Sequence, residues 1–114
     1  MEITDLKQAL KDTKYPVVYR RWKRGKAPPL PYIVYLFAKA ADLMADNENY
    51  QPLSDYQVEL YSQDKDLTAE AAVEAALRGL GLPFAKSEHS LETEDMQEVL
   101  YQIRIVETEQ ETVS

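Results

Sequence analysis

The chain has 114 residues, 45% of them hydrophobic and 29% charged, the balance of one modest globular core and not of a disordered polymer. It has no cysteine, which excludes a disulfide framework, a zinc–thiolate site and a thiol nucleophile. Its net charge of −7 argues against a general nucleic-acid binder, whose affinity needs many phosphate-neutralising cations.

Ile3, Leu6 and Leu10 recur at helical spacing, Thr4 or Asp5 is available as a cap, and Lys11 and Lys14 stand where cations suit the helix dipole. A short amphipathic helix is therefore expected within residues 1–14, ending before Tyr15 and Pro16. Val17, Val18 and Tyr19 read as a short strand that Arg20 and Arg21 extend. Gly25, Pro28, Pro29 and Pro31 then stop regular pairing, so residues 15–31 are expected to form a basic hairpin and a proline loop.

Tyr32 to Phe37 is the strongest strand signal and is apolar on both faces, as in a strand that is central or covered on both sides. Residues 42–53 are a polar excursion with a turn expected at Asp46 and Asn47. Asp55 to Tyr61 alternates, with Tyr56, Val58 and Leu60 on one face and Gln57, Glu59 and Tyr61 on the other.

Thr68 opens a helix expected over 68–80, with Glu70 in its first turn, Arg78 in its last, and Gly81 and Pro83 as the stop. Phe84 to His89 reads as a fourth strand, residues 90–95 as a turn, and Val99 to Val106 as a fifth strand. Residues 107–114 are acidic and expected to fray. The expected fold is one α+β domain over 1–114. A mostly antiparallel twisted sheet of four or five strands forms one layer, and the main helix packs on one of its faces, beside a short N-terminal helix.

No constellation of catalytic residues emerges. His89 is the only histidine, and the acidic residues around it lack zinc-type or EF-hand spacing. The serines have no nucleophile-elbow setting, and Gly25, Gly79 and Gly81 form no phosphate-cradling loop. No catalytic, cofactor-binding or metal residue is assigned, no small-molecule substrate is expected, and the chain does not read as an enzyme. No apolar run approaches a membrane span of about 18 residues, and the first ten residues lack a signal-peptide pattern, so no membrane partner is expected and synthesis in a cytoplasm is.

What remains is a surface. Residues 1–57 hold nine basic and seven acidic side chains and residues 58–114 hold four and thirteen, so the two halves carry about +2 and −9. Arg20, Arg21, Lys23, Arg24 and Lys26 surround Trp22, which reads either as an electrostatic contact for phosphate or a charged partner, or as a solvated hairpin tip. Eight tyrosines are more than a sheet of this size can bury by their hydroxyls, which points to core edges or subunit contacts. Trp22, Tyr50 and Tyr61 are the candidate interface aromatics. The Pro28 to Pro31 stretch stiffens a strand entrance or binds a partner's aromatic groove. On these features alone a small cytoplasmic adaptor, using the proline loop or basic segment, stands as an alternative to a self-assembling structural protein.

The strings PYIVYLF (residues 31–37), ADNENY (45–50), YQVELYSQDKD (56–66) and LPFAKSEHSLETEDMQEVLYQIRI (82–105) resemble a family of small tail-completion proteins. These are tail-terminator or head–tail joining proteins encoded by phages and prophages of Gram-positive bacteria with long non-contractile tails. The resemblance covers roughly residues 30–106. It implies a small α+β fold like that of lambda-type tail terminators and a ring, commonly a hexamer, that caps the tail tube and meets the head connector. It further implies a place at the head-proximal end of the virion tail, with the genome passing through the ring, and it carries no catalytic residues over to this chain.

Overall fold

Tyr32 to Phe37 forms the strand expected of it, but as part of a longer one, and its neighbours define the architecture. The computed structural model describes residues 1–40, 43–44 and 50–106. In chain order these form α1 (Ile3–Lys11), β1 (Val17–Tyr19), β2 (Tyr32–Ala40), β3 (Leu43–Met44), β4 (Tyr50–Gln51), β5 (Leu53–Ser62), α2 (Leu67–Gly79), β6 (Phe84–Leu91) and β7 (Met96–Val106). Five strands make one sheet in the order β1-β2-β5-β7-β6, and β3 and β4 pair as a separate antiparallel ribbon. The fold is α+β, as expected. The turn expected at Asp46 and Asn47 and the tail 107–114 lie outside the described residues.

Alternation sorts the sheet into two faces. Ile33, Leu60 and Val99 form one cross-strand row and Tyr35, Val58 and Tyr101 the next, all buried on the same face. Leu6 and Leu10 of α1 and Ala69, Val73 and Leu77 of α2 close over these rows in a single cluster. Fully burying each leucine or valine contributes about 1.5–3 kcal/mol, so the face and its helices define the core. β5 and β6 run in the same direction with β7 between them. α2 therefore carries the chain across a gap that β7 later fills, a split βαβ unit.

Three expectations are corrected. β1 pairs with β2 in parallel, Val17 opposite Ile33 and Tyr19 opposite Tyr35, so residues 20–31 form a crossover connection and not a hairpin. Prolines that cannot donate to a ladder occupy its second half, and β1 ends at Tyr19 without the Arg20–Arg21 extension because Arg20 adopts a left-handed φ of 72°. The helix starts also differ from expectation. Glu2 caps α1, its N–H donating to Asp5 Oδ2 at 2.9 Å, and Asp66 caps α2 by accepting from the Ala69 N–H at 3.0 Å. The end of α2 follows the sequence: Gly81 takes φ 73°, and its N–H and that of Leu82 return to the carbonyls of Arg78 and Leu77.

Where α2 meets the sheet edge, charges interlock. Glu70, only 3% exposed, is held by Lys86 at 2.8 Å and Lys65 at 2.9 Å. Burial alone would raise its carboxyl, but the two lysines outweigh that and keep it below the ordinary glutamate range. Lys86 also meets Glu74 at 2.7 Å, and Glu74 accepts from the Tyr101 hydroxyl at 2.9 Å, which gives the buried phenol its partner. Replacing Leu60 by alanine should cost about 2–5 kcal/mol of stability, because it leaves a cavity between β2 and β7. Leu67→Ala, at a residue 69% exposed, should change stability by less than about 0.5 kcal/mol. Urea unfolding of the two variants tests the assignment of the faces.

Candidate electrostatic contact site

The crossover from β1 to β2 leaves the sheet through two tight bends. The Arg20 N–H still donates to the Tyr35 carbonyl at 2.8 Å, and the left-handed turn at Arg20 then lifts the chain off the ladder. A second turn closes with the Lys26 N–H on the Lys23 carbonyl at 2.8 Å, and Gly25 supplies its φ of 75°. Between the bends Trp22 packs edge-on against Tyr32, ring centroids 5.7 Å apart. Arg20, Arg21, Lys23, Arg24 and Lys26 are all exposed, and none forms an ion pair with another described residue. The five cations share one exposed ledge, which an aromatic side chain anchors.

The ledge lies against the sheet face that the helices leave uncovered. Together they bound a concavity of about 340 Å³ whose wall carries the cations and whose floor includes Val34, Glu59 and Tyr61. Val34, only 4% exposed, explains why β2 is apolar on both faces. Tyr32 continues the aromatic row onto Tyr61, centroids 5.4 Å apart. Of the candidate interface aromatics, Trp22 and Tyr61 are thus both engaged within the chain, and the Tyr50 side chain lies outside the described residues. The Trp22 indole N–H is buried without an acceptor among the described residues.

Tyr61 ends in a polar knot that the sequence did not disclose. Its hydroxyl lies 3.1 Å from Glu59 Oε1 and 3.0 Å from Glu98 Oε2, so one phenolic proton faces two carboxyl groups. Burial of Glu59, its hydrogen bond with Glu98 and the Glu98 charge push the Glu59 carboxyl up to about 7. Burial and the two carboxylates raise the Tyr61 phenol as well. The strand alternation placed Glu59 and Tyr61 on one face, but Glu98 joins them only through the pairing of β5 with β7, in which it stands opposite Tyr61.

Other candidates sit apart from the ledge. His89 is exposed on edge strand β6 with Ser87 Oγ 3.2 Å from its Nε2, while Glu88 turns to Lys65 at 2.6 Å. On the same outer face Arg104 grips Asp55 at 2.7 and 3.1 Å and holds its carboxyl below the ordinary range.

The Glu59 knot makes stability depend on pH in a definite direction. Folded Glu59 keeps its proton where an unfolded glutamate, at about 4.5, has lost it. Stability should therefore fall as pH rises from about 4.5 to about 7 and level off above that window. Glu59→Gln should flatten this slope and leave the variant more stable than the parent above the window. Urea midpoints measured on both sides of the window are the check, and an unchanged slope would remove Glu59 as its source.

No known protein-family profile matches the chain, and no curated protein sequence matches it. Among solved structures the chain is similar to one from the virion of a native gene transfer agent particle. The two share 16% sequence identity at a TM-score of 0.61, over 87% of this chain and 88% of that one. At this identity the likeness establishes a shared fold across nearly the whole of both chains.

Proposed function

We propose that the chain is a structural, non-enzymatic protein of a phage-like virion that assembles as a ring, closes the head-proximal end of the tail tube and joins it to the head connector. The observation that carries this reading is the end-to-end fold likeness to a chain from a gene transfer agent virion, with neither chain leaving a large part unmatched. The strings over residues 30–106 that resemble tail-completion proteins point the same way from the sequence, and they supply the finer role. Two features suit assembly. The sheet ends in open edges at β1 and β6, which pair with no further strand among the described residues. The cation ledge offers Arg20, Arg21, Lys23, Arg24 and Lys26 to an anionic surface, either a partner ring or the DNA that passes through.

The partners of this reading are other copies of the chain, possessing the same two edges, a tail-tube protein and a connector protein. The site is the virion tail, reached after synthesis in a bacterial host. The test has two arms. The wild-type chain should be found by mass spectrometry in purified particles and seen by electron microscopy as a ring at one end of tail tubes. Replacing Arg20, Arg21, Lys23 and Arg24 by serine should leave the melting temperature within a few degrees, because these side chains are exposed and form no ion pair among the described residues, yet block head joining or make it salt-sensitive. Particles that lack the chain, or tubes of uncontrolled length with the chain absent from their ends, would overturn the reading.

A further inference from the structure

We infer that the cation ledge is a docking site for the acidic segment Glu107–Glu111 of a second copy of this chain, so that neighbouring copies are held head to tail by charge. The inference rests on the self-assembly part of the proposed function and not on the virion itself.

Three observations combine. The first is an unneutralised surface. Lys23, Arg24 and Lys26 line one exposed turn, Arg20 and Arg21 precede it, and none of the five has an ion-pair partner among the described residues. Of the carboxyl groups that line the same concavity, Glu59 is tied to the Tyr61 hydroxyl, and the exposed Glu94 forms no ion pair with the ledge among the described residues. The second is pre-organisation. The Trp22–Tyr32 contact and the two backbone turns fix the ledge, so a partner does not have to order it.

The third is the reach of the chain. The segment after β7 carries Glu107, Glu109 and Glu111 with no intervening cation. β7 delivers it at the wrong end of the sheet. Trp22 packs on Tyr32, which stands level with Tyr61 and Glu98, and Glu98 is eight residues before Val106. At about 3.3 Å per residue the Trp22 end of the ledge therefore lies about 26 Å along the sheet from Val106, while Arg20, bonded to Tyr35 level with Tyr101, lies about 17 Å away. Whatever their conformation, the backbones of Glu107 and Glu109 stay within about 4 and 11 Å of Val106. Lys23 and Arg24 share their concavity with Tyr32, Leu91 and Met96, at the far end of the sheet, so the three glutamates cannot together engage that turn of their own chain, but those of a neighbour can. In a heterologous contact each copy gives one patch and receives on the other, and such contacts close into rings when the rotation permits.

An acidic segment is favoured over DNA as the occupant because the chain as a whole is negative, at −7, which opposes a polyanion as dense as a duplex more than it opposes three carboxylates. The contact should also be screened by salt, since the five cations of the ledge are exposed.

Mixing copies of two isotopic masses tests this directly. Equal amounts of 14N and 15N full-length chain are joined with a zero-length carbodiimide, and peptides linking Lys23 or Lys26 to Glu107, Glu109 or Glu111 are read by mass spectrometry. The expected result is links between light and heavy peptides at a yield that falls with added salt. Links found only within one isotopic mass, or no such links, would overturn the proposal. Charge reversal gives an independent reading by sedimentation. Glu107→Lys with Glu109→Lys and Glu111→Lys should weaken self-association at least tenfold, as should Lys23→Glu with Arg24→Glu and Lys26→Glu. A mixture of the two variants should associate better than either alone. Wild-type self-association that ignores both reversals would sink the docking proposal and leave the ring standing, whereas a wild-type chain that stays monomeric would remove both. Loss of links when a DNA duplex is added, with association otherwise unaffected by the tail reversal, would assign the ledge to nucleic acid instead.

Discussion

Strand β5 is hydrogen-bonded along both of its edges, to β2 on one side and to β7 over all ten of its residues on the other. A slip of one residue in either pairing would turn Tyr56, Val58 and Leu60 out to solvent and bring Gln57, Glu59 and Tyr61 against the helices. The buried rows can be formed in only one register, and that register decides what the second face carries. The helix side becomes core. The opposite side receives Val34, the aromatic row and two glutamates, and it needs the crossover to shelter them.

The crossover is thus as much a cover as a connection. Its tryptophan and the Tyr32 and Tyr61 rings form a line of apolar bodies across two strands, and Tyr61 hands the line over to carboxyl groups. An apolar lid over an acidic floor raises the cost of charge there, which is why Glu59 holds its proton. The cations on the wall of the concavity are exposed to water and form no ion pair with Glu59. On this face a half-buried, proton-retaining carboxyl on the floor thus stands beside exposed cations on the wall of one concavity.

Much of this was legible in the sequence where local chemistry decides. The end charges of α2, its Gly81 stop, the alternation of β5 and the doubly apolar β2 are all local signals; α2 stands within one residue of its expected range, and β2, β5, β6 and β7 stand where they are expected, with extended ends. The direction of β1 was not legible. Val17 to Tyr19 carries no mark of parallel or antiparallel pairing, and only the loss of the ladder at Arg20 and the prolines of the crossover turn it. The caps were misplaced by one turn or less, because Glu2 and Asp66 compete with equally suitable neighbours. The basic cluster could be found by counting, but the knot beneath it could not: Glu59 and Glu98 are distant in sequence and meet only through strand register.

β1 is held by three residues of parallel pairing, while β5 and β7 share ten. The N-terminal unit of α1 and β1 therefore has few main-chain bonds of its own and relies on Leu6 and Leu10 to stay docked. Because the ledge begins at the last residue of that pairing, whatever undocks α1 and β1 also unfastens one end of the lid. The opposite end stays tethered at Tyr32. In such an opening the N-terminal edge, with three paired residues, peels before the central strands, and the five positive charges sit on the connection that spans the two, held at its far end by Trp22 on Tyr32.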